Sequence, residues 1–220
     1  MEKLSKDIAA KLAVELDYDN DKKEVLAYGA FALIQMFVSV ALVMVFGYLF
    51  NVIIEALIIS FTASILRKYS GGVHASSPNA CTFLGIVVCV GFGLIIKLIL
   101  APLIITKVLI PMVIVVFMWS YYMLNKLAPV DTPNKPIKRE EKRKRMKKGS
   151  LILLGIYFLV ILINLHIYLA FSLNVFLVYS ICIIFGILWQ VFTLTKSGHK
   201  VIKKLDQFLN ILLNITKEAT

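Results

Sequence analysis

Apolar runs of about 20 residues, nearly free of charge, alternate along this chain with short segments dense in lysine, arginine and acid. The runs fall at 25–46, 50–66, 81–100, 108–127, 151–171 and 174–194. An α-helix of that length, rising about 1.5 Å per residue, crosses a hydrocarbon layer about 30 Å thick. Residues 25–66 are twice as long as one crossing needs, with Glu55 as their single acid, and a tight hairpin is expected near Gly47 and Asn51. Lipid offers no water to satisfy backbone N–H and C=O groups. The pattern therefore predicts an all-α fold, a polytopic membrane helix bundle of six spans whose core is the bilayer plus helix–helix packing.

The two ends read differently. Residues 2–17 place Leu4, Ile8, Leu12 and Leu16 on one helical stripe, away from Lys3, Lys6, Asp7, Lys11 and Glu15. The tail 196–217 does the same with Ile202, Leu205, Phe208, Leu209, Leu212 and Leu213. Both stripes predict amphipathic interfacial helices, lying on the membrane surface or against the bundle. One integral-membrane domain, 1–220, is expected: an amphipathic helix within 1–24, four spans within 25–127 around a loop at 67–81, a polar segment 128–150, two spans within 151–194, and the tail 195–220. Pro129, Pro133 and Pro136 make the first part of 128–150 extended, and the remainder is strongly basic. No internal repeat is visible.

Composition agrees: 60% of residues are hydrophobic, which no water-soluble domain of 220 residues requires. The distribution of the net +11 charge gives direction. With six spans, the N-terminus, the 67–80 loop, segment 128–150 and the C-terminus share one side, which holds 22 of the 24 Lys and Arg residues, all but Lys97 and Lys107. Short basic segments stay in the cytoplasm, so both termini are expected there. The first 26 residues carry seven acids and five lysines, followed by no short apolar region with a small-residue cleavage site. The first span is therefore expected to remain as an anchor rather than be removed as a signal peptide. Cys89 and Cys182 fall inside apolar runs and read as small buried apolar residues, so no disulfide framework is expected.

The chemistry concentrates between Arg67 and Cys81, RKYSGGVHASSPNAC. Gly71, Gly72 and Pro78 forbid one continuous helix through it. Ser76 or Ser77 before Pro78 reads as an N-cap with proline at the first helical position. Cys81 then lies in the first turn of the following helix, at the positive end of its dipole, where a thiol ionises more readily. His74 is just upstream, and a low-pKa thiol with an imidazole is the minimal kit for covalent acyl transfer.

Arg67, the paired glycines Gly71 and Gly72, His74, and Cys81 seven residues after it resemble the signature of the accessory gene regulator B (AgrB) family, the integral-membrane cysteine endopeptidases of bacterial quorum sensing. The hydrophobic layout and the basic segment after the fourth span extend the resemblance over nearly the whole chain. It implies Cys81 as nucleophile and His74 as general base, acting on an AgrD-type propeptide from the cytoplasmic side of the bacterial cell membrane. The product is a thioester that a propeptide Cys or Ser closes into a thiolactone or lactone. It further implies a homodimer, supporting roles for Arg67 and Gly72, and a share in substrate handling for the basic segment, with Lys135, Lys138, Arg139, Lys142, Arg143, Lys144 and Arg145. No cofactor is implied.

Simpler readings stand beside these. Arg67 and Lys68 also suit an interfacial anchor, and Gly71 and Gly72 also suit positive-φ backbone alone. Ser76, Ser77 and Asn79 are capping residues first, with a second reading in which one orients His74 or helps form an oxyanion hole. The basic run is a topology determinant drawn to anionic lipid; without aromatic interleaving it does not read as a nucleic-acid site. Glu55 and Lys97, placed at similar depth on adjacent spans, are expected to form a structural ion pair. His166 and His199 are poorly placed for catalysis, and no zinc ligand set is apparent. The competing class is a small transporter without covalent chemistry, which would tolerate loss of Cys81.

Overall fold

The computed structural model describes residues 2–73, 75–103, 106–131 and 139–218, with side chains described through Ile211. Among the described residues the chain is all-helical, with no β-strand. It forms α1 (Glu2–Glu15), α2 (Asn20–Leu49), α3 (Ile53–Ser70), α4 (Pro78–Ile95) continued by a π-helical turn at Ile96–Leu100, α5 (Thr106–Leu127), α6 (Glu140–Phe171), α7 (Val175–Phe192) and α8 (Lys196–Glu218). Five of these stretches are long and apolar enough to cross a membrane: α2, α4 with its π turn, α5, α6 and α7.

At 18 residues α3 is also about as long as a crossing needs, but it carries Glu55, Arg67 and Lys68. It packs against α2, α4, α6 and α7. Gly186 makes the α3–α7 contact close, since a Cβ there would come within 2.7 Å of the Thr62 side chain. Tyr157 of α6 donates a 3.0 Å hydrogen bond to the Thr62 carbonyl on the same central helix. The core is aliphatic and fully enclosed, with Ile59 and Leu66 of α3 meeting Ile181, Ile184 and Ile187 of α7. Large outward side chains such as Phe37, Tyr48, Val115, Met118 and Ile163 stay exposed, as the outer face of a bundle in lipid requires.

Several expectations change in detail. The Leu4, Ile8, Leu12, Leu16 stripe of α1 remains exposed, and α1 lies against α2 through its small residues Ser5, Ala9 and Ala13. Small side chains let two helices approach closely, which the leucines would prevent. The basic run is not a loop throughout: from Glu140 onward it forms the first turns of a 32-residue α6. Glu140 and Glu141 occupy its first turn, where the helix dipole favours acids. The expected Glu55–Lys97 ion pair is absent among the described residues; Lys97 donates instead to the carbonyl of Asn51 in the α2–α3 turn. That bond ties the far end of α4 to the beginning of α3.

Candidate active site

The loop leaving α3 is shaped by its two glycines. Gly71 has φ +70° and Gly72 φ +132°, a region that L side chains rarely adopt. A Cβ on Gly71 would collide with the carbonyl of Val130, and one on Gly72 would lie 2.7 Å from Thr193 Oγ1. The close approaches have a purpose. The Val130 amide donates to the Ser70 carbonyl at 2.9 Å, so the Pro129 segment forms a short bridge along the loop. From the other side, Gln190 of α7 donates Nε2 to Ser70 Oγ (2.9 Å) and to the Gly71 carbonyl (2.7 Å). The Val73 amide faces the Thr193 carbonyl at 3.4 Å. Arg67 Nη2 donates to the Val73 carbonyl, while its buried Nε has no partner among the described residues.

Ser77 is the N-cap of α4: its backbone is extended and its Oγ accepts from the Ala80 amide at 3.2 Å. Pro78, fixed in φ and lacking an N–H, begins the helix. The Cys81 amide donates to the Ser77 carbonyl at 3.0 Å, which puts the half-buried thiol in the first helical turn. Its sulfur and the Arg67 guanidinium interact electrostatically. The thiol therefore sits at a helix N-terminus and beside a guanidinium. Gln35 of α2 secures the same turn, donating to Thr82 Oγ1 at 2.6 Å and to the Pro78 carbonyl at 3.2 Å.

The remaining residues divide clearly. Ser76 contacts α8: its amide donates to Asp206 Oδ2 at 3.1 Å and its hydroxyl to Oδ1 at 3.0 Å, while Asn210 Nδ2 donates to Ser76 Oγ at 3.2 Å. Asn79 is exposed. His74, Lys135 and Lys138 lie outside the described residues. Arg139 is the N-cap of α6, without a side-chain capping bond. Arg143 pairs with Asp131 at 2.8 Å, next to the Val130 bridge. Lys142, Lys144 and Arg145 are exposed along the first turns of α6. Gln35, Gln190, Thr193 and Asp206 were not foreseen as parts of this region; the available signal was a polar side chain interrupting an apolar run or stripe.

An all-helical bundle with five membrane-length helices, presenting a half-buried cysteine in the first turn of the helix that follows a glycine-hinged loop, defines a multi-pass membrane protein. The family model for accessory gene regulator B matches residues 5–194. A protein named as AgrB-like from Clostridium perfringens strain SM101 is 46% identical over 97% of this chain and all of its own length. A second such protein, from strain 13, is 45% identical over 97% of the chain and all of its own length. One from Listeria innocua is 29% identical over 63% of the chain and 60% of its own. The chain belongs to the AgrB family, which places it in quorum-sensing peptide processing. No solved structure matches it.

Proposed function

We propose that this chain is a membrane-embedded cysteine endopeptidase that cleaves an AgrD-type propeptide and promotes its cyclisation. One observation carries the reading: Cys81 lies in the first turn of α4 and interacts with Arg67, directly after a loop hydrogen-bonded to α7, α8 and the Val130 segment. His74, seven residues before Cys81, is the proposed general base.

The Cys81 thiolate attacks the scissile carbonyl carbon, and the tetrahedral intermediate collapses with cleavage of the C–N bond. Protonated imidazole of His74 gives its proton to the departing amine, and the C-terminal fragment leaves. The N-terminal part remains as a thioester. A propeptide thiol, deprotonated by the imidazole, then attacks the thioester carbonyl and closes the ring, releasing Cys81 as thiolate. Exchange of one thioester for another is nearly isoenergetic, so no outside energy source is needed. Water is the competitor, and a site enclosed by α2, α7 and α8 slows hydrolysis.

Six spans with cytoplasmic termini complete the reading. Its support is that α3 runs beside α4 from Asn51 near Lys97 to Arg67 near Cys81, so α3 crosses whatever α4 crosses. The basic first turns of α6 are the proposed dock for the acidic tail of the propeptide, and a homodimer is the proposed assembly.

The test is co-expression of wild type, Cys81→Ala and His74→Ala with AgrD-type propeptides, followed by mass spectrometry of membranes. Wild type should yield a cyclic peptide and a Cys81-linked acyl adduct; both variants should yield neither. Cleavage retained in Cys81→Ala would overturn the protease reading, and retained peptide export in that variant would instead favour a transporter.

A further inference from the structure

The family model ends at residue 194, two residues before α8 begins, and α8 is joined to the loop before α4 by three hydrogen bonds at Ser76. Asp206 is nearly buried, at 9% exposure, on a helix that is otherwise polar or apolar by face. It occupies the same face as buried Ile202, while Val201, Phe208 and Ile211 point away and stay exposed. Both of its oxygens are engaged by Ser76, one by the amide and one by the hydroxyl. One turn further on, Asn210 reaches the same hydroxyl. Residues four apart stand one above the other on a helix, so α8 grips a single loop residue with two side chains.

A buried carboxylate is costly unless donors satisfy it, and hydrogen bonds to a charged acceptor are about twice as strong as neutral ones. The segment it holds is short. Val73 is fixed by Arg67 and Thr193, Ser76 by Asp206, and Ser77 by its cap of α4. The tether at Ser76 comes from α8, beyond the residues that the family model matches.

We propose that Asp206 is a positioning residue: through Ser76 it latches the 72–77 loop in register with the first turn of α4, making α8 a C-terminal clasp on the AgrB site. The proposal rests on the protease reading for its kinetic consequence but not for the latch itself. The experiment uses the full chain in lipid nanodiscs. Hydrogen exchange is followed at the segment spanning Ser70 to Ala80, and cleavage is followed on a synthetic AgrD-type propeptide with an internal cysteine and an acidic end.

Asp206→Ala should speed exchange at the Ser76 amide by about tenfold and lower kcat by about tenfold with KM unchanged. Asp206→Asn keeps one acceptor oxygen and should recover part of both effects. Ser76→Ala leaves the backbone donor in place and should cost less than Asp206→Ala, and combining the two should add little to Asp206→Ala alone. Unchanged exchange at Ser76 in Asp206→Ala would overturn the latch. Faster exchange with unaltered kcat would overturn the positioning role, as would faster exchange spread through α3 and α7, which marks general loosening. A wild-type chain that leaves the propeptide intact sinks the protease reading alone, because exchange at Ser76 still decides the latch.

Discussion

At Gly71 and Gly72 the presence of one methyl group decides whether the loop can close. Both combine positive φ with a neighbour where a Cβ would stand, the Val130 carbonyl in one case and Thr193 Oγ1 in the other. Gly71→Ala should therefore cost at least about 2 kcal/mol, from left-handed strain plus displacement of Val130. Gly29→Ala is the control, because a Cβ there meets nothing within 4 Å and the position is helical, so it should be neutral or stabilising by up to about 1 kcal/mol. Thermal unfolding in one detergent compares them; equal melting points would contradict the tight closure. These residues also mark what the chain betrays of itself. Ser77, Pro78 and Cys81 are legible because capping is decided within four residues. Gln190 and Asp206 are not, because their partners lie 119 to 130 residues away and only packing brings them together. Lys97 shows the opposite error: its depth was readable from the helix rise, but its choice of the Asn51 carbonyl over Glu55 was not.

Among the elements, α6 departs most from its sequence pattern. Hydropathy separates the basic run from the apolar one, whereas the backbone treats Glu140–Phe171 as one helix, since lysine, arginine and glutamate are good helix formers. Its first charged turns, through Arg145, are exposed, and by Gly149 the helix lies against Tyr69 of α3. Among the described residues, Arg143 of these turns is tied to Asp131. Neutralising Lys142, Lys144, Arg145, Lys147 and Lys148 while keeping Arg143 should raise KM for the propeptide several-fold, most at low salt, with kcat unchanged. An unaltered KM would leave these residues only their attraction to lipid. At the α3–α7 crossing the limit is steric. Gly186→Ala pushes a methyl group into Thr62 and Ile59, and should destabilise by about 1–3 kcal/mol in the same melting assay.

For the whole molecule, α3 is the test of the architecture. Its three charges set it apart from the five more apolar helices, yet it packs against four other helices, α4 among them. If α3 crosses, α2 through α7 make six passes and both termini face one side; if it does not, they face opposite sides. Single cysteines placed at Lys3 and Lys200 in a cysteine-free background should be labelled by an impermeant maleimide only when the cytoplasmic face is open. Labelling of just one of the two from that face would reject six passes. The class of fold was readable because lipid imposes a strict length and polarity on every crossing helix. How the helices are ordered around α3 was not, because apolar runs look alike until small residues such as Gly186 choose their neighbours.

The hydrogen bond from Lys97 to Asn51 works as a depth gauge. Measured from it, Cys81 lies 16 residues back along the same helical path, about 24 Å, whereas the acyl-chain layer is about 30 Å deep. In the proposed topology, which puts Lys97 at the outer headgroups, the sulfur rests roughly one helical turn beneath the inner ones. On the protease reading, a propeptide arriving from the aqueous side sheds its hydration and dips below the lipid surface before its bond comes within reach, so the water that would hydrolyse the thioester is left behind on the way in.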